Sequence, residues 1–135
     1  MKTTLEIPVR STEVDSMGHV NNAKYLEYLE WGREDWFKKA NCSFDNLIAR
    51  GIGLASVNIN IDYLGECLKD DILLVVTSPV KAGKSSFVFL QEIFKKDSMK
   101  KVISTHVTLV TIGMETRKST PIPSDLSKHL ISTEI

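Results

Sequence analysis

Between residues 15 and 22 the chain reads Asp-Ser-Met-Gly-His-Val-Asn-Asn, and a stretch with helical periodicity begins directly after it. One carboxylate, Asp15, and one imidazole, His19, therefore fall in a turn that runs into the start of a helix. The first N–H groups of a helix lack intrahelical partners and carry the positive end of its dipole, so negative charge is favoured beside them. An imidazole four residues on can hold or move a proton near neutral pH. An Asp ahead of Ser-Met-Gly is, on its own, the mark of a turn former. What raises it above that is its company: acid, imidazole and free helix amides in eight residues.

The helix must position these groups. At 100° per residue counted from Glu27, Glu30, Glu34 and Lys38 fall on one side, and Tyr25, Leu29, Gly32, Trp36 and Ala40 fall on the other. The pattern predicts a helix over Asn22–Lys39, roughly 25 Å long. Asn21 or Asn22 supplies an N-cap. Neither has Glu or Gln three residues on, so no capping box is expected. Tyr25 and Tyr28 pack the helix onto its neighbours, whereas Trp31 falls on the charged face as an exposed aromatic that would suit an interface or a lid.

Strands account for most of the rest. Thr3 to Arg10 puts Leu5, Ile7 and Val9 on one face, with Pro8 pushing the segment towards an edge or a bulge. One helical turn is expected near Phe44 to Arg50, ended by Gly51 and Gly53. From Ala55, the residues Val57, Ile59, Ile61 and Tyr63 share a face with it, and Ser56, Asn58, Asn60 and Asp62 share the other. Asp71 to Val80 is aliphatic enough for a strand covered on both faces. Ala82-Gly83 turns into a strand over Lys84–Phe94, Lys95–Lys100 is a charged turn, and Lys101–Ile112 is the last strand. Ser124–Leu130 reads as a frayed helical turn. The order is strand, long helix, then four strands that short turns would join into a meander. That is an α+β fold in one domain over 1–135: a five-stranded antiparallel sheet wrapped around one long helix.

Bulk composition narrows the function. With 17 basic and 17 acidic residues, the chain has no net field to favour nucleic acid or an anionic membrane. Its start lacks the apolar run of a signal peptide, so a cytoplasmic protein is expected. Cys42 and Cys67 lack metal-ligand spacing, and a disulfide between them is not expected in a reducing compartment. Gly83-Lys84-Ser85 invites a phosphate-loop reading, but position 78, where the first Gly would stand, is Ser78. One helix cannot cover both faces of five strands, and an open edge strand invites pairing, so a homodimer or homotetramer is expected.

The run Asp15-Ser-Met-Gly-His-Val-Asn-Asn-Ala-Lys-Tyr, with this order of elements, resembles the hotdog-fold thioesterases, in particular the 4-hydroxybenzoyl-CoA thioesterase-like and acyl-acyl-carrier-protein thioesterase families. In the first, an Asp at the Asp15 position is nucleophile or general base, and a backbone N–H at the following helix start polarises the thioester carbonyl. Counted from Asp15, that N–H is Asn22's. The His19-Val20-Asn21-Asn22 run is closer to the carrier-protein branch, whose site residues map to Asp15, His19 and Glu66-Cys67. That branch has Asn where this chain has Met17, and its chains carry two hotdog units. Here the second unit would come from another subunit.

The chemistry implied by the resemblance fits the residues. An alkyl thiol, with a pKa near about 8.5, leaves as thiolate without strong acid assistance, so one carboxylate can suffice. Helix-start amides form a natural oxyanion site. Asp15 would attack directly or activate water, the Asn22 amide would hold the carbonyl, and His19 and Glu66 would assist. Tyr25 is a candidate substrate contact, and Lys81 and Lys84 beside a hairpin turn are candidates for coenzyme A phosphates. Coenzyme A is then part of an acyl-CoA or acyl-carrier-protein substrate, and neither cofactor nor metal is required. The rival activities on this fold are a hydratase or dehydratase and a non-catalytic acyl-CoA-binding module.

Overall fold

The computed structural model describes residues 1–130. Its central element is the helix α1, Asn22–Lys39, capped by Asn21, whose side-chain oxygen accepts from the Ala23 N–H at 2.9 Å. Tyr25, Tyr28, Leu29, Gly32, Trp36 and Phe37 of α1 are buried, and Glu30 and Lys38 are exposed, as the 3.6-residue period requires. Trp31 departs from its expected place. It is half-buried, its ring lying 5.6 Å from that of Tyr28, because a large indole on the rim of the buried stripe gains more by folding onto a neighbouring ring than by standing in water.

The strands β1 (Thr3–Pro8), β2 (Ile52–Tyr63), β3 (Ile72–Ala82), β4 (Ser86–Lys95) and β5 (Lys101–Gly113) form one sheet in the order β1-β3-β4-β5-β2, every neighbouring pair antiparallel. Two short helices, α2 (Phe44–Ala49) and α3 (Ser124–Leu130), complete the α+β fold. No helix among the described residues is long and apolar enough to cross a membrane. Pro8 sits on an edge strand, where its missing N–H costs no ladder bond.

The meander is shorter than the sequence predicts. Only β3, β4 and β5 follow one another; β2 pairs with β5 at the far edge. Three strand spacings, about 14 Å, then separate β2 from β3, and residues 64–71 span them easily at up to about 3.3 Å each. This crossing segment carries Glu66 and Cys67 beneath the start of α1.

Within β2 the register shifts at Val57, between Ser56 opposite Leu109 and Asn58 opposite Thr108. The bulge replaces the expected set. Leu54, Ser56, Ile59, Ile61 and Tyr63 lie opposite buried residues of β5 and share the inner face, while Ala55 is turned outward. Nor is β3 covered on both faces: Leu73, Val75 and Thr77 are buried, but Leu74 and Val76 are only half-buried, because no second layer packs on the outer face among the described residues. His106, in the middle of β5, is exposed on that outer face.

A polar layer divides the core. On one side lie Tyr25, Tyr28, Leu29, Val75, Cys67 and their neighbours; on the other lie Trp36, Phe37, Leu47, Phe87, Phe89 and Cys42. Between them Gln91, fully buried, donates to Leu29 O at 2.9 Å and to Thr77 Oγ1 at 3.0 Å, and accepts from Arg33 Nη1 at 2.9 Å. The two cysteines are free and sit in separate halves. The tail expected to fray is a full helix, α3. Leu126 and Leu130 are buried, and Asp125 takes two 2.9 Å bonds from Arg50, which hold its carboxyl at about 2.

Gly32 lets α1 approach this layer. A Cβ there would lie 2.6 Å from Val75 Cγ1, 3.1 Å from Gln91 Nε2 and 3.3 Å from Thr77 Oγ1, all in fully buried side chains. Gly32→Ala gains about 1 kcal/mol of helix propensity but meets an overpacking cost of about 1–3 kcal/mol at a site that cannot yield. The variant is expected to unfold at lower urea than the wild type; an equal or higher midpoint would show that the layer can open.

Candidate active site

The turn ahead of α1 is built by Asp15. Val14 and Val20 bridge antiparallel, Asp15 N–H donates to His19 O at 2.8 Å, and Gly18 N–H donates to Asp15 O at 3.0 Å. One side-chain oxygen, Oδ1, accepts from the N–H groups of Met17 and His19 at 2.9 and 3.2 Å. Gly18 closes the turn at φ +81°, a conformation that glycine adopts without strain. The second carboxylate oxygen, Oδ2, has no hydrogen-bond partner among the described residues. Asp15 thus serves the turn with one oxygen and leaves the other free.

The amides at the helix start are similarly divided. Asn21 N–H donates to Glu13 O at 3.2 Å, Ala23 N–H to Asn21 Oδ1, and Lys24 N–H to Asn21 O at 2.9 Å. Only the Asn22 N–H, within this first stretch, makes no hydrogen bond among the described residues. Glu13, buried, holds the frame from behind by accepting from Tyr28 Oη at 3.0 Å and from Arg10 N at 2.8 Å.

The crossing segment closes the other side. His19 bridges Leu68, and Val20 N–H donates to Cys67 O at 2.9 Å. Cys67 is fully buried, and its N–H donates to Tyr25 Oη at 3.2 Å. Burial pushes both the Cys67 thiol and the Tyr25 phenol above their ordinary values, so both stay protonated at neutral pH and frame the site. Glu66, next to this anchored residue, brings Oε2 to 3.3 Å from His19 Nε2. Both side chains are partly exposed, so the pair adds little stability; what it fixes is the direction of the imidazole.

Asp15, His19, Asn22, Tyr25 and Glu66 all line one open hollow of ≈ 310 Å³, together with Tyr63 and Gly65. Sequence reasoning placed Tyr63 only as the end of a strand face, yet its ring stands 5.8 Å from that of Tyr25 and forms the wall facing the helix start. The signal was its place two residues before Gly65-Glu66. Lys81 and Lys84 are not brought to this hollow. They flank the β3–β4 hairpin, where Lys84 O accepts from Ile122 N–H at 2.9 Å, whereas the segment bearing Glu66 lies beyond the opposite end of the sheet.

A second cavity, of ≈ 390 Å³, lies between α1, α2, the start of β2 and the end of β5. Phe37, Leu47, Ile48 and Leu54 line it, with Glu30 and Arg33 in the same wall. Burial lowers the Arg33 guanidinium from its ordinary value, and the charge of Glu30 opposes that shift.

The profile of the Thioesterase-like superfamily matches residues 9–130. The chain is 31% identical over 125 residues to the long-chain acyl-CoA thioesterase FadM of Escherichia coli (strain K12), a match spanning 93% of this chain and 94% of that one. The crystal structure of YbaW from Escherichia coli, 30% identical, superposes with a TM-score of 0.82 over 94% of this chain and 95% of its own. Slr0204, a 1,4-dihydroxy-2-naphthoyl-CoA thioesterase from Synechocystis, shares the fold with a TM-score of 0.90 over 96% of each chain at 24% identity.

Proposed function

The chain belongs to the Thioesterase-like superfamily and is a thioester hydrolase; from that premise we propose that it cleaves acyl-CoA esters in the hollow between Asp15 and Asn22. The observation that carries the reading is the pairing of two unspent groups. The free Oδ2 of Asp15 and the unpartnered N–H of Asn22 belong to residues that border the same space, and neither is consumed by the turn that holds it.

Each group has a step to perform. The thioester carbonyl oxygen accepts from the Asn22 N–H, where the helix dipole also favours the negative charge that develops as the carbon becomes tetrahedral. The Asp15 carboxylate either removes a proton from the water that adds to that carbon, or adds to it directly and forms a mixed anhydride that a later water hydrolyses to the free acid and the restored carboxylate. Collapse expels coenzyme A as a thiolate, which His19, oriented by Glu66, can protonate. Tyr63 and Tyr25 form one side of the hollow in which the reacting carbon sits.

The edge strand β2 leaves Val57, Ile59, Tyr63 and the following Leu64 between 41% and 58% exposed, an apolar border beside the hollow that a second copy of the chain would cover. The working unit is therefore a homodimer or a larger even assembly, in which the neighbour closes over the acyl chain where it runs between α1 and β2. Sedimentation equilibrium that returned the 15.2 kDa mass of a single chain at catalytic concentrations would remove that wall.

The reading is tested by free-thiol release over straight-chain acyl-CoAs from acetyl to palmitoyl. Turnover of at least one ester with equimolar acid is expected. Binding of the esters without release would favour the non-catalytic module, and hydration of an enoyl-CoA without release would favour the hydratase.

A further inference from the structure

Arg33 is set into the wall of the ≈ 390 Å³ cavity with 8% of its surface exposed. Among the described residues its one hydrogen bond runs from Nη1 to a neutral partner, Gln91 Oε1, and Glu30 acts on it from a distance, without forming an ion pair. A guanidinium has five N–H donors. Those not given to Gln91 are not sealed in protein, since no Arg33 nitrogen is among the fully buried side-chain atoms that lack a partner among the described residues. The open space they can reach is the cavity. A largely buried cation with unspent donors, facing a chamber whose wall also carries Glu30, Ser56 and the exposed Arg117, is a costly arrangement unless an acceptor completes it.

The chamber and the reacting hollow share two bounding elements. The hollow is bordered by Asn22 of α1 and Tyr63 of β2, the chamber by Arg33 of α1 and Leu54 of β2, and Ile59 and Ile61 lie on the inner face of β2 between them. Eleven residues of helix separate Asn22 from Arg33, about 17 Å. A staggered alkyl chain advances about 1.25 Å per carbon and covers that distance in roughly 13 carbons.

We propose that Arg33 is a specificity residue whose cavity receives the far end of the acyl chain and selects one that carries a terminal hydroxyl about twelve carbons from the thioester. A hydroxyl accepts from the spare Arg33 N–H groups and can donate to Glu30 in the same wall, so it uses both; a carboxylate only accepts and would meet Glu30's charge, while Arg117, exposed in the same lining, keeps its own water. A methyl terminus leaves the guanidinium unpaired, and sites built to hydrogen-bond a substrate hydroxyl discriminate strongly against its absence. This assignment rests on the hydrolase reading and specifies its substrate.

The test separates binding from turnover. Calorimetry with the free acids should show 12-hydroxydodecanoate binding the wild type at least about tenfold more tightly than dodecanoate. Arg33→Met should erase or invert that preference and Arg33→Lys should retain part of it. Should Arg33→Met fail to fold, Ile48→Trp, at a half-exposed position on the opposite wall, fills the cavity and should abolish the preference while decanoate and shorter acids still bind. Equal or tighter binding of dodecanoate by the wild type, or a preference that survives both Arg33→Met and Ile48→Trp, overturns the assignment. Thiol release from the two matching CoA esters reads the other level. If the acids bind as stated and neither ester is cleaved, the hydrolase reading fails and the cavity assignment stands; if both esters are cleaved with equal kcat/KM, the selection fails and hydrolysis stands.

Discussion

Asp15→Asn is expected to lower kcat for acyl-CoA hydrolysis by about 10²–10⁴-fold, the range for loss of a positioned base or nucleophile. KM should stay within about threefold, because the lost interaction forms only as the reaction proceeds. The substitution isolates charge from architecture. Asn keeps an oxygen to accept from the N–H groups of Met17 and His19, so the turn and Gly18's positive φ persist, and only the oxygen not used by the turn becomes an amide nitrogen. Circular dichroism and the thermal midpoint should match the wild type. If the midpoint instead fell and activity followed it, Asp15 would be a turn former and nothing more.

Asn22→Pro should lower kcat by about 10²–10³-fold, the usual effect of deleting one oxyanion donor. Few backbone N–H groups can be removed so cleanly. Asn22 is the first residue of α1, the position where proline is favoured in helices, and its N–H has no partner to lose among the described residues. Asn21, at φ −64° and ψ 139°, already has the extended conformation that a residue before proline requires. The helix should therefore be as stable as before or slightly more so, by reduced freedom of the unfolded chain. Asn22→Ala is the control: it keeps the N–H and should keep most of the activity. Equal losses in both variants would assign the role to the side chain; wild-type rates in both would place the oxyanion elsewhere.

The long helix was legible to the residue because eighteen positions repeat one period and Asn21 ends it with a recognisable cap. Asp15, His19, Asn22 and Glu66 were legible as candidates because sequence proximity brings the first three together and the resemblance supplied the fourth. What brings Glu66 to His19 was not legible: the burial of Cys67 under Tyr25 is a tertiary contact between residues 42 positions apart. The path of β2 to the far edge was hidden for a similar reason, since a hairpin and a crossing of eight residues look alike until the helix fixes which strands it covers. The Val57 bulge reverses an alternation that sequence shows unbroken, and only pairing with β5 decides where the extra residue goes. Arg33 was in principle readable. At about 240° from Glu27 it lies on the buried side of the wheel, beside Leu29 and Ala40. A long cation at such a position ordinarily snorkels to water, and nothing in the sequence announced that Gln91, from the middle of a strand, would hold it in the core.

Acyl-CoA cleavage is assigned to the space that the Asp15 carboxylate shares with the Asn22 amide. Its most direct test is a single turnover with enzyme in excess over dodecanoyl-CoA, quenched in time and assayed for free acid, for the wild type, Asp15→Asn and Asn22→Pro. All three should bind the ester to the same extent, the wild type should convert it in one phase, and each variant should convert it at least about 100-fold more slowly. Conversion at the wild-type rate by either variant, or an ester left intact by wild-type protein that binds it, would contradict the account.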